Sequence, residues 1–152
     1  MIDDLTLARI IHVTSVVIWI GGVYFVTFIV LPALRQAEDK VARFEAVESL
    51  FTKHAKFVVT LAGLSGFYML YRLEGWGRYA SIDYWWVHAM TLLWLIFTLV
   101  LFVAEPLFLH AWFIRRAQEA PEKAFALATR FHQIMTLLSL LVIAAAIFGV
   151  HS

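Results

Sequence analysis

A chain of 152 residues that is 62% hydrophobic and only 15% charged cannot clothe a globule in polar side chains, so its outer surface must itself be apolar and its solvent lipid. The net charge of +1 argues neither for nor against nucleic acid, but no basic cluster with exposed aromatics is present and no nucleic-acid partner is expected. The absence of cysteine excludes disulfides, iron–sulfur clusters and thiolate metal sites.

A hydrocarbon layer about 30 Å thick is crossed by about 20 apolar residues in a helix. Four stretches meet that length, at about 8–34, 54–72, 84–106 and 127–150, and they make residues 1–152 a single transmembrane domain. The first is too long for a signal-peptide core and lacks a small-residue cleavage site, so it is expected to be retained. The second has a short apolar core and extends backwards through the amphipathic run 41–56, where Val41, Phe44, Val47, Glu48 and Phe51 share a stripe. The third continues beyond Pro106 to Ile114, with Glu105 where core meets interface and Pro106 kinking the helix. The two extensions are expected to pack together below the bilayer. All three connections are short, so the expected fold is all-α, an integral membrane up-down four-helix bundle.

Orientation follows from the basic residues. One side carries Arg9, Arg72 and Arg78; the other carries Arg35, Lys40, Arg43, Lys53, Lys56, Arg115, Arg116, Lys123 and Arg130. Short loops rich in Lys and Arg stay cytoplasmic. Met1 and Ser152 are therefore expected outside the cytoplasm, and the protein in a bacterial inner membrane.

Five of the histidines, His12, His54, His88, His110 and His132, fall in or at the ends of the spans, with His151 at the terminus. Ionisable groups in membrane helices are costly and usually face a bundle interior or a cofactor. Depth sorts them into two layers. His12 and His88 lie one turn inside the exterior edge, on helices expected to be diagonal; His54, His110 and His132 lie near the cytoplasmic edge. Diagonal imidazoles at equal depth match the geometry of haem ligation across a bundle. The expected metal ligands are thus His12 and His88, with His54, His110 and His132 as a second group.

On the first helix Arg9, His12, Ser15, Trp19 and Gly22 recur on one face at helical spacing. Arg9 is placed to pair with a haem propionate, while Gly21 and Gly22 beside Trp19 leave room for a flat ligand or a neighbouring helix. Gly63 and Gly66 form a small-residue face on the second helix, and Trp85 stands one turn before His88. Small residues in membrane helices also serve packing alone, and Tyr79, Tyr84, Trp85 and Trp86 also suit an interfacial belt. His54 and His110, flanked by charges, also suit snorkelling or hydrogen bonding.

His12, Trp19, Gly21, Gly22 and Leu31-Pro32-Ala33-Leu34 together resemble the first helix of the copper-resistance protein D superfamily, related to the short membrane-bound protoporphyrinogen oxidases of bacteria. The resemblance continues more weakly through the glycines of the second helix and Trp85-x-x-His88. The oxidase branch implies b-type haem and electron transfer to a respiratory carrier, with His12 important and a lysine where this chain has His88. The copper branch implies metal movement across the membrane. Copper(I) prefers sulfur ligands, and of the four methionines only Met135 shares a face with a histidine, His132.

The function expected from the sequence is a membrane redox protein holding one or two b-type haems. His12 and His88 are its ligands, with Arg9, Trp19, Gly22 and Trp85 around them. Expected partners are lipid, quinone or another small redox substrate, and a second copy in a homodimer; catalytic residues are not assigned. The alternatives are a permease for copper, zinc or another metal, and a non-catalytic membrane subunit of a redox complex.

Overall fold

In the computed structural model, which describes residues 2–151, the chain is all-α, with no strand among the described residues. The termini Met1 and Ser152, expected outside the cytoplasm, lie beyond the described residues. Four continuous helical stretches organise it: α1, Asp4–Arg35; α2, Lys40–Arg72; α3, Ile82–Glu119; and α4, Pro121–His151. Of these, α1, α3 and α4 are long and apolar enough to cross a membrane. The 33 residues of α2 are long enough but carry the charged amphipathic run at their start.

Local chemistry sets the ends and irregularities. Asp3 caps α1, its carboxylate accepting from the Thr6 amide at 2.7 Å. Two stretches widen to π-helix, Val26–Val30 in α1 and Val100–Leu109 in α3. Each adjoins or contains a proline, Pro32 or Pro106, which has no N–H for the carbonyl four residues back, so the backbone ladder locally changes register. These turns divide α1 and α3 into shorter pieces, and the α-helical segments outnumber the four expected.

The helices pack in a ring. α1 lies against α2 and α4, and α3 against the same two, which puts α1 and α3 on one diagonal. Polar contacts identify the two ends. At one end Asp4 receives Arg72 Nε at 2.6 Å and the Tyr68 hydroxyl at 2.8 Å, joining the start of α1 to the end of α2. At the other, Lys40 and Arg35 converge on Glu122.

The mid-bundle core comprises Trp19, Ile20 and Val23 of α1, Val58, Val59 and Ala62 of α2, Leu93 and Phe97 of α3, and Met135 of α4. Thr27 and Thr136 meet within it at 3.1 Å, each hydroxyl also bonded to a carbonyl of its own helix, so neither is left unsatisfied in a low-dielectric interior. A second core at the Glu122 end joins Leu34, Phe113, Ala117, Ala124 and Phe125, with Phe44 of the amphipathic run 4.4 Å from Phe113 between ring centroids. The expected packing of the two extensions is present. The outer faces carry Val17, Leu64, Leu92, Leu137 and Phe148, all exposed. Apolar exposure on that scale belongs against lipid.

Candidate functional site

His12 is half-buried between α1 and α2, its Nδ1 2.8 Å from the Ala62 carbonyl and 3.4 Å from the Ser65 hydroxyl. A carbonyl can only accept, so Nδ1 carries the proton and donates, and Nε2 keeps its lone pair. The close fit requires Gly66, where an added Cβ would stand 3.1 Å from the imidazole Cε1. Along the same helix Ser15 and Trp19 are buried, whereas Arg9 is exposed. Gly22 is filled by its neighbour: an added Cβ there would meet the Phe51 ring of α2 at 3.2 Å. Of the two uses the sequence suggests for that glycine, the structure displays helix packing.

His88 looks to a different partner. Its Nε2 donates to the Ser81 carbonyl at 3.2 Å, and its ring stands edge-on to Tyr79, whose hydroxyl is 2.7 Å from that of Thr91. Trp85 is exposed and touches Trp86. The structure therefore ties His12 to α2 and His88 to the segment before α3. Among the described residues no hydrogen bond or ring contact joins the two imidazoles.

The second group of histidines divides as well. His54 is exposed on α2, the helix turning Thr52 and Ala55 inward instead. His132 is half-buried on α4, its Nδ1 donating to the Ala128 carbonyl one turn back at 3.0 Å, so its Nε2 is likewise free. His110 Nδ1 lies 2.9 Å from Glu48 Oε2, and Lys56 Nζ lies 3.2 Å from Glu105 Oε2. Glu48, Glu105 and His110 each offer a ligand atom within 4.8 Å of the others. Both carboxylates are held at 20% exposure. Burial pushes the Glu48 carboxyl above its ordinary value, and the hydrogen bond from His110 pulls it partly back.

Glu48, Glu105 and His132 border a cavity of about 380 Å³ inside the bundle. Its walls are apolar, with Trp19, Phe51, Phe97 and Phe131 among them, and Glu48, Glu105, Thr52 and His132 supply polar edges. The π-helical stretches contribute to it, Val26 and Val30 from one, Val100, Glu105 and Leu109 from the other. Trp19 is 5% exposed and its indole Nε1 is buried without a hydrogen-bond partner. In the sequence Glu48 falls on an apolar stripe and Glu105 at an interface, and neither position by itself marks a site. The available signal was a carboxylate on the inward face of an amphipathic helix, where only a polar partner makes it tolerable.

A family model described as "Domain of unknown function (DUF4149)" matches residues 14–117, which takes in Trp19, the α1–α2 turn, His54, His88, and the Glu48–Glu105–His110 cluster. No curated protein and no solved structure matches the chain.

Proposed function

The chain belongs to the DUF4149 family, and we propose that it is an up-down four-helix protein of the bacterial inner membrane that binds b-type haem and passes electrons between a small membrane-accessible donor and quinone or oxygen. Both termini face the exterior. α2 serves as the fourth span through its apolar half, its charged half projecting into the cytoplasm. The apolar outer faces and the nine-to-three division of basic residues support this placement. The resemblance of the first helix to the copper-resistance D and protoporphyrinogen oxidase group agrees with it.

The observation that carries the haem reading is the state of His12. Its Nδ1–H is fixed on a backbone carbonyl and its Nε2 is unengaged, the arrangement by which proteins set the tautomer and orientation of a metal-ligating histidine. His132 repeats it nearer the cytoplasm. The fit is thus good for single imidazoles from α1 and α4. His88 fits less directly, because its Nε2 must first release the Ser81 carbonyl. When bound, the haem supplies one-electron redox chemistry. His12 and His132 hold position, Ser65 and Ala62 fix the His12 ring, and the apolar interior excludes water.

The test is the absorption spectrum of the purified protein. A Soret band with reducible α and β bands is expected, and His12→Ala removes or shifts it. A colourless protein, or an unchanged spectrum in both His12→Ala and His132→Ala, overturns the reading.

A second reading, passage of a divalent metal, rests on Glu48, Glu105 and His110. Two carboxylates and an imidazole suit zinc, manganese or iron better than copper(I). Metal analysis of the purified protein tests it, with Glu105→Gln expected to lose the ion.

A further inference from the structure

The cavity between the four helices has more to say than its neighbouring cluster. Its volume of about 380 Å³ lies within the ordinary range for small-molecule sites. Most of its wall is aliphatic or aromatic, yet Glu48 and Glu105 both border it, and no Lys or Arg does among the described residues. An anionic head on a ligand would meet two carboxylates with no cation in the wall. A purely hydrocarbon ligand would cover them without replacing lost water. The chemistry that answers the wall is a cation with hydrogen-bond donors on an apolar body.

The protein already displays such a contact. Lys56, which is not part of the wall, places its ammonium 3.2 Å from Glu105 Oε2 and 5.8 Å from the centroid of the Phe102 ring. A primary ammonium is thus accommodated against this carboxylate beside an aromatic face. Glu48 has only the His110 imidazole, so Lys56 is the one lysine or arginine paired with the two carboxylates among the described residues.

We propose that this cavity binds a lipid-soluble organic amine: its protonated head lies on Glu48 and Glu105, and its flat or extended apolar body lies among Trp19, Phe51, Phe97 and Phe131. The site is separate from His12 but shares the His132 edge with the haem reading, and inorganic cations compete with it only at its acidic end.

The test uses the full-length protein in detergent and two fluorescent probes of the same ring shape. These are 9-aminoacridine, a flat cation with N–H donors, and 9-anthracenecarboxylate, its anionic counterpart. Saturable binding of the amine at one site per chain is expected, displaced by dodecylamine and not by dodecanoate. Glu48→Gln and Glu105→Gln, which keep side-chain shape, should each weaken it about tenfold or more, as losing a desolvated charge partner does. Val30→Phe, which fills the cavity without touching the carboxylates, should weaken it too, with helicity by circular dichroism confirming the fold of each variant. Equal binding of the anionic probe overturns the proposal. Unchanged amine binding in both glutamine variants also overturns it, as does a protein that takes up zinc through the same carboxylates but no amine. Amine binding by a colourless protein supports this site while removing the haem reading, so the two fail separately.

Discussion

The indole of Trp94 on α3 lies against Gly63 of α2 so closely that a Cβ added to the glycine would come within 2.5 Å of three of its ring atoms. Its Nε1 donates to the Val59 carbonyl, one turn earlier on the same helix, at 2.9 Å. The contact joins α2 to α3 by shape and by a hydrogen bond together. Gly63→Ala forces the indole away and strands its N–H. Overpacking and the lost bond are expected to cost about 2–4 kcal/mol, read as a lower melting temperature in detergent. Gly21→Ala is the control: nothing lies within 4 Å of its added methyl, and helix propensity makes it neutral or stabilising by up to about 1 kcal/mol. Equal losses in the two variants would deny Trp94 this role.

Phe125 anchors the second core. It is fully buried, edge-on to both Phe44 and Phe113, with ring centroids 5.6 Å away in each case. The three rings come from α2, α3 and α4. Phe125→Ala removes the central ring of the cluster and is expected to cost about 3–5 kcal/mol. Protease cleavage in residues 36–50 should become faster as the start of α2 loosens. A variant that resists protease and heat like the parent would show that the aromatic cluster is dispensable.

Much of this architecture is legible in the sequence, and the reasons are physical. The all-α class and apolar exterior follow from composition, since lipid-facing helices need no polar surface. Phe44 was expected to face the continuation of α3 because helical periodicity alone groups it with Val41, Val47 and Phe51, and it does meet Phe113. Side-chain partners were not legible. Depth assigned His12 and His88 to one layer, but depth does not say which way an imidazole turns, and the Ala62 and Ser81 carbonyls take one each. The same limit hid Glu48 and His110, on different helices and 62 residues apart, whose 2.9 Å contact depends on how α2 and α3 rotate about their axes. His54 illustrates it from the other side: depth groups it with His110 and His132, yet rotation of α2 leaves it exposed.

The Glu48–His110 contact has a pH signature. Burial raises the Glu48 carboxyl above its ordinary value of 4.5, so the native state keeps a proton that the unfolded chain releases. A raised acid contributes no penalty below the ordinary glutamate range and an increasing one as pH rises through the native value, so stability falls with pH in that window. Glu48→Gln removes the dependence. Its melting temperature should be close to that of the parent at low pH and higher than it near neutrality, in scans across that range. Parallel curves for parent and variant would mean that Glu48 titrates as an ordinary surface carboxylate.

The last prediction concerns which way the bundle sits. Arg35, Lys40 and Glu122 meet at one end, and Arg115, Arg116 and Lys123 lie near the adjoining turn between α3 and α4. Asp4 and Arg72 meet at the other end, where Gly149 of α4 abuts Trp86 of α3. The first end gathers nine of the twelve basic residues of the chain, and the proposed orientation puts it in the cytoplasm because short basic loops are retained there. On that proposal the opposite end, with the start of α1, the end of α4 and the turn at Gly77, faces outward. A green fluorescent reporter joined after Ser152 should stay dark on export through the general secretion pathway, while an alkaline phosphatase joined there should be active. The same pair inserted after Ala120, in the turn before Pro121, should give the opposite result. Fluorescence from the C-terminal fusion with a silent phosphatase would invert the protein, placing the Glu48–Glu105 end of the cavity toward the exterior and His12 toward the cytoplasm.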